Sequence, residues 1–137
     1  MNIFQKIVSG EIPAAAVYED NDILAFMDIG PVIKGHTLVI PKACYDSVTE
    51  TPDEVLAKLI VVCKRIAAAQ IKGLGADGVN IIQNNGTTAG QVVPHIHFHV
   101  IPRFDGDGHH WNWNAKKYDS PAEMEKLAAK IRKELVG

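Results

Sequence analysis

Three histidines stand at alternate positions in one short stretch, His95-Ile96-His97-Phe98-His99, and Val100-Ile101 continues the apolar series. Successive side chains of an extended strand point to opposite faces, so the three imidazoles share one face and Ile96, Phe98 and Val100 the other. The apolar set anchors a strand in a core; the imidazoles line a common surface. A single strand histidine is ordinarily a packed bystander, histidine being a residue of intermediate burial. Three on one face point to chemistry, because imidazole titrates near neutral pH and serves as acid, base, nucleophile or ligand.

Two chemistries compete. Zinc sites often use imidazole, but His95 and His99 are separated by about 13 Å along a strand that rises ~3.3 Å per residue. Ligand atoms on one zinc must come within roughly 3–4 Å of each other, given Zn–N distances near 2.0–2.1 Å. No thiolate or carboxylate pattern beside the strand completes a shell, so metal is the weaker reading. The alternative is an imidazole that attacks phosphorus, forming a covalent intermediate that splits a hard displacement into two easier ones. Phosphoryl transfer then needs positioning and charge stabilisation. The loop Asn84-Asn85-Gly86-Thr87-Thr88-Ala89-Gly90-Gln91 lies directly ahead of the histidines. Alone it reads as a turn; in that place it supplies the Asn84 amide, and Gly86, Gly90 and Gln91 can turn backbone N–H groups toward an anion.

The elements that must position these groups are short. Ile3, Phe4, Ile7 and Val8 have helical spacing and predict a helix over 3–10 that stops at Ser9-Gly10. Strands are expected at 15–19, 23–28 and 37–40, the first two forming a hairpin around Asp20-Asn21-Asp22. A long helix is expected over 52–72, with Thr51 and Glu54 as a capping box, Pro52 at its first position and Gly73 ending it. Its apolar stripe comprises Val55, Leu56, Leu59, Ile60, Cys63, Ile66 and Ala67. Strands at 78–83 and 95–102 follow, and a last helix opens at Ser120-Pro121-Ala122-Glu123 and runs to the end. That order is not a repeated βα alternation. It predicts an α+β domain, an antiparallel meander with helices on one face, in which only the connection through the long helix could jump to another edge.

The 137 residues, 47% of them apolar, suffice for one domain over 1–137 with a sizeable core. Fourteen basic against sixteen acidic residues give no electrostatic footprint for nucleic acid or anionic lipid. Apolar runs such as Leu59–Cys63 reach five residues, far short of the ~20 of a membrane span. Two cysteines, Cys44 and Cys63, make no disulfide framework, and the first residues lack a signal peptide's apolar core; a cytoplasmic protein is expected.

His95-Ile96-His97-Phe98-His99-Val100-Ile101-Pro102-Arg103 resembles the signature of the histidine triad (HIT) superfamily. Gly35-His36-Thr37-Leu38-Val39-Ile40-Pro41-Lys42 is similar to a second motif of that family, and the segments 3–14 and 24–29 resemble its N-terminal half. The closest branch is the Hint-like one. The resemblance implies a five-stranded antiparallel sheet with two main helices, continued across a homodimer. It implies cleavage at the α-phosphorus of purine nucleoside phosphoramidates or related conjugates through a nucleotidyl-histidine. Alternatives are a dinucleoside polyphosphate hydrolase or a nucleotide-binding scaffold without its own turnover. By the same resemblance His97 is the nucleophile, His99 binds phosphate and helps protonate the leaving group, and His95 and His36 buttress the triad. Asn84 and Gln91 contact phosphate, Asp28 accepts from the ribose, and Ile3, Phe4, Ile7, Phe26, Ile29 and Leu38 form the base slot. No cofactor enters the scheme.

Three departures from the family pattern stand out. Val92 replaces a Ser or Thr whose hydroxyl assists the phosphate in relatives. Asn2, Gln5 and Cys44 occupy positions where some bacterial relatives place the ligands of a structural zinc, so no such zinc is expected. Residues 105–113 are longer and more aromatic than the animal Hint C-terminus; His109 and His110 are expected in a loop, and Trp111 and Trp113 as packing or interface anchors.

Overall fold

The structure, a computed structural model, describes residues 1–135. Among them α1 (Ile3–Val8), β1 (Ala16–Glu19), β2 (Ile23–Met27), β3 (Thr37–Pro41), α2 (Asp53–Leu74), β4 (Gly78–Gln83), β5 (Phe98–Arg103) and α3 (Pro121–Leu135) follow one another. All five strands form one antiparallel sheet in the order β1-β2-β3-β5-β4. It is therefore not a plain meander. The chain leaves β3, crosses through α2 to the far edge as β4, and returns as β5 between the two. The triad strand thus becomes interior, its first residue Phe98 flanked by Val39 of β3 on one side and Gln83 of β4 on the other.

Nor do the helices share a face. On one side Leu59, Val62, Cys63 and Ile66 of α2 pack on Ile23, Ala25, Val39, Ile96 and Val100. On the other, Phe4 of α1 packs on Leu24, Phe26, Leu38 and Ile40. Every residue of β3 is buried, as are the first four of β2. A strand apolar on both faces needs cover on both, and α1 supplies the second. Alternation along the triad segment places Ile96, Phe98 and Val100 toward α2 and the imidazoles toward α1, as expected.

Element ends differ in informative ways. Thr51 does not cap α2: its hydroxyl donates to the Ser47 carbonyl (2.7 Å), Pro52 takes the cap position, and Asp53 and Glu54 complement the first turn's dipole. The helix runs through Gly73 and ends at Gly75, whose φ of 71° is the left-handed exit and whose N–H returns to the Gln70 carbonyl. The triad strand begins only at Phe98. Residues 95–97 lie outside the ladder: the chain bends at His95, whose N–H returns to the Val93 carbonyl (2.8 Å), the Pro41 carbonyl bonds the His95 ring (2.8 Å) and the Ile96 N–H goes to the Tyr45 carbonyl (2.7 Å). α3 opens with Ser120 accepting from the Glu123 N–H (3.1 Å) and buries no side chain.

Candidate active site

A backbone group fixes one ring nitrogen of His95, His97 and His36 and so sets their tautomers, and His36 in turn sets that of His99. His95 Nε2 faces the Pro41 carbonyl and must carry a proton, leaving Nδ1 to accept from the Asn2 amide (3.3 Å). His97 Nδ1 donates to the His95 carbonyl at 2.8 Å. Its Nε2 keeps a lone pair and has no hydrogen-bond partner among the described residues. His36 Nδ1 accepts from the Val32 N–H (3.1 Å), so its Nε2 carries the proton that bridges to His99 Nδ1 at 2.9 Å. His99 Nε2 consequently bears a proton. The result is one imidazole with an open lone pair and a neighbour with an N–H, their ring centroids 5.0 Å apart.

Burial holds all four rings toward the neutral form. It is the main cause for His95, His97 and His36, opposed in His36 and His97 by the Asp28 carboxylate. His99 is pushed down to about 4, by burial first and then by His97 and His36. A neutral imidazole is what a nucleophile requires.

His97 and His99 open into a cavity of about 520 Å³ whose other walls include Ile3, Phe4, Ile7, Phe26, Asp28, Ile29 and Leu38. All six residues expected in the base slot therefore lie together. Phe4, Phe26 and Leu38 form its buried floor, with Phe4 5.0 Å from the His97 ring and 5.7 Å from Phe26, while Ile3 and Ile29 are exposed at its mouth. Asp28 Oδ1 accepts from the Gly30 N–H (2.8 Å) and Oδ2 lies 3.5 Å from His36 Nε2, which leaves acceptor capacity toward the cavity. The Asn84 amide packs on the loop glycine of this wall: a Cβ on Gly90 would sit 3.6 Å from its Nδ2.

Gln91 does not fit the expectation of a phosphate ligand. Its Oε1 accepts from the Gly86 N–H (2.8 Å), and its Nε2 donates to the carbonyls of Asp46 (2.6 Å) and Val93 (3.0 Å). The carboxamide is spent on shaping the loop, and it lines a separate surface groove with Asp46 and Thr87. Val92, 89% exposed, stands between that groove and the cavity. Trp111 donates to Asn80 Oδ1 (2.7 Å) and meets the His109 ring edge-on, whereas Trp113 is almost fully exposed. Sequence reasoning missed Asn2 as part of the site, although Asn-x-x-Gln ahead of an apolar turn is a capping-box pattern. The box forms, and the same Asn2 amide reaches both His95 and the Cys44 sulfur (3.5 Å).

That cluster bears on metal. The structural-zinc positions of bacterial relatives here hold two carboxamides, and the Asn2 N–H groups point at the lone pairs of His95 and Cys44; the donor set does not fit zinc. Asp28, His36 and His99 do bring three ligand atoms within 4.8 Å. The Val32 N–H, however, fixes a proton on His36 Nε2, and that proton fills the space between the rings.

The sheet order and histidine geometry define a class, and comparison with known proteins gives the same class. The HIT domain model matches residues 9–106, and the chain belongs to that family. It is 55% identical over 108 residues to an uncharacterized HIT-like protein of Methanocaldococcus jannaschii, covering 79% of this chain and 83% of that one. It is 44% identical over 101 residues to adenosine 5'-monophosphoramidase of Schizosaccharomyces pombe, covering 74% and 73%. Among solved structures, a HIT family member from Bacillus subtilis superposes with a TM-score of 0.91 at 42% identity, over 99% of this chain and 98% of that one.

Proposed function

We propose that this HIT protein is a nucleotidyl hydrolase whose substrates are purine nucleoside phosphoramidates. The observation that carries the reading is the state of His97: Nδ1 is tied to the His95 carbonyl, and Nε2 has a free lone pair at a cavity that also holds Asp28 and His99. The S. pombe relative's activity supports a P–N substrate. The base enters between Phe4, Phe26 and Leu38, the ribose hydroxyls donate to Asp28, and the phosphate meets His99 and the Asn84–Gly90 loop.

In the first half-reaction His97 Nε2 attacks the α-phosphorus and the bond to the leaving amine breaks. The amine needs a proton, and the His36–His99 pair delivers it. An anionic phosphate offsets the burial that keeps His99 neutral, so the pair takes up a solvent proton on binding: it enters at His36 Nδ1 in place of the Val32 N–H contact, the bridging proton moves to His99 Nδ1, and His99 Nε2 gives its proton to nitrogen. In the second half, water attacks the nucleotidyl-His97, its proton returns through His99 to solvent, and the His97 lone pair is restored. Overall one water cleaves one P–N bond, with no cofactor.

The working form is a homodimer. No residue of α3 is buried on its own chain, its Leu127, Met124 and Ile131 are exposed, and β4 is a sheet edge that carries the exposed Ile81. Edges and apolar helix faces need cover, and a second copy supplies both with one self-complementary patch. The thiols suit a reducing cytoplasm: Cys63 is buried and pushed up to about 12, and neither cysteine is paired.

The test is a panel of adenosine and guanosine 5'-phosphoramidates and dinucleoside polyphosphates. Amine release from the first group, with a nucleotidyl adduct on His97 in quenched samples, is expected. Preference for dinucleoside polyphosphates would move the protein to that branch, and tight binding without turnover would make it a nucleotide-binding scaffold.

A further inference from the structure

We propose that Gln70, on the face of the sheet opposite the imidazoles, is a positioning residue that holds the His36–His99 relay in register. The inference rests on the reaction proposed above and adds a residue remote from substrate to it. Gln70 falls in step with Leu59, Cys63 and Ile66 on the buried face of α2, where the pattern calls for an apolar side chain. It is 5% exposed, and its Nε2 donates to two carbonyls, those of Gly35 (3.1 Å) and Val100 (3.0 Å). These are the chain neighbours of His36 and His99, the two partners of the 2.9 Å bridge. One carboxamide therefore ties together, from behind, the two backbone segments whose rings must meet in front.

The β3–β5 ladder does not do this alone. Its pairing begins at Thr37↔Val100, so Gly35 and His36 lie outside it. The Gly35 backbone is instead brought tight against α2 and β5: at φ 105° a Cβ there would stand 2.8 Å from Leu74 and 2.9 Å from Pro102. Glycine permits this approach, and the approach puts the Gly35 carbonyl within reach of Gln70. The arrangement carries a penalty. Gln70 Oε1 is buried with no hydrogen-bond partner among the described residues, a state that native cores avoid. A methionine would fill the site without the orphan acceptor. Retaining the amide fits a need for its two N–H groups, and the geometry assigns that need to the relay.

The experiment compares Gln70→Met with Ile66→Ala, a core change one turn earlier that loosens α2 without touching the clamp. Turnover of adenosine 5'-phosphoramidate is measured from pH 5 to 9, with thermal denaturation and nitrogen-15 NMR of the imidazoles. Gln70→Met is expected to lower kcat about tenfold with KM within twofold, to move the alkaline limb of the profile, set by the proton on the His36–His99 pair, to higher pH as the burial of His36 relaxes, and to weaken the His36–His99 ring contact. Ile66→Ala is expected to lower Tm while keeping kcat within twofold and the profile in place. Should Gln70→Met fail to fold, Gln70→Leu, apolar like its neighbours on that face and without a donor, stands in with the same outcomes. If the Gln70 variant behaves like Ile66→Ala, with kcat and profile unmoved, the proposal is overturned. If the wild type itself turns over no phosphoramidate, the functional reading fails instead, and an intact ring contact in the Gln70 variant would still refute the clamp.

Discussion

Replacing His97 with asparagine isolates the covalent step. Asparagine Nδ2 falls where imidazole Nδ1 stands, so the bond to the His95 carbonyl, worth about 0.5–1.5 kcal/mol net, can persist. What disappears is the outer half of the ring, including Nε2 and the edge packed 5.0 Å from Phe4. Losing those few buried atoms costs about 1–2 kcal/mol. At about 2.1 cal/mol/K per residue, a chain of this length should lose roughly 3–7 °C in Tm. Nucleotide affinity should change little, because Asp28, the apolar slot and His99 remain. Turnover should behave differently. The substitution removes an interaction made only on the path to the transition state, so kcat should fall by at least about 10³-fold, or ~4 kcal/mol, with KM nearly constant. Calorimetry with AMP, thermal denaturation and amine-release kinetics separate the three effects. The reasoning is refuted if the variant keeps more than about a tenth of wild-type kcat, since under ~1.4 kcal/mol is too little for a lost nucleophile.

Four further outcomes follow from the same geometry. Stability should decline on acidification: the folded state holds His99 near 4 while the unfolded chain titrates near 6.5, so its contribution, up to about 3 kcal/mol, is present above pH 6.5 and lost as pH falls toward 4; a Tm flat from pH 7 to 4.5 would contradict it. Bound AMP should raise the His99 titration, read by imidazole NMR, because its phosphate favours the protonated ring; an unchanged or lowered midpoint would remove the proton uptake assigned to His36–His99. Hydrolysis should persist in excess EDTA, and loss of activity rescued by added divalent metal would point instead to Asp28, His36 and His99 as a metal site. Light scattering at micromolar concentration should return twice the chain mass, and a monomer would exclude a dimer built on α3 and β4.

Much of this arrangement is legible in the amino-acid sequence. Alternation along 95–100 gives the imidazole face directly, and the stripe of α2 needs only its helical period. The resemblance to other triad proteins brings in His36, Asp28 and the slot residues, which are far apart in the chain and carry no mutual spacing signal. Other features are hidden because competing groups decide them. Gln91 has the position of a phosphate ligand, but the carbonyls of Asp46 and Val93 and the Gly86 N–H together use the whole amide. Two glycines could end α2. Gly73 is tolerated inside the helix at about 1 kcal/mol, and Leu74 can then pack on the Gly35 backbone.

The position of α1 illustrates a signal that the sequence carries less openly. Ile23–Met27 and Thr37–Pro41 do not alternate, and a strand without alternation declares that both faces are covered. With α2 on one face, the short N-terminal helix is the nearest candidate for the other, and Asn2-x-x-Gln5 marks where it starts. Gln70 belongs to the same kind of signal. A lone carboxamide in an apolar stripe is costly unless bonded, so its presence asks which backbone groups it serves. Sequence can pose that question; only the fold, by bringing Gly35 and Val100 to one amide, supplies the partners.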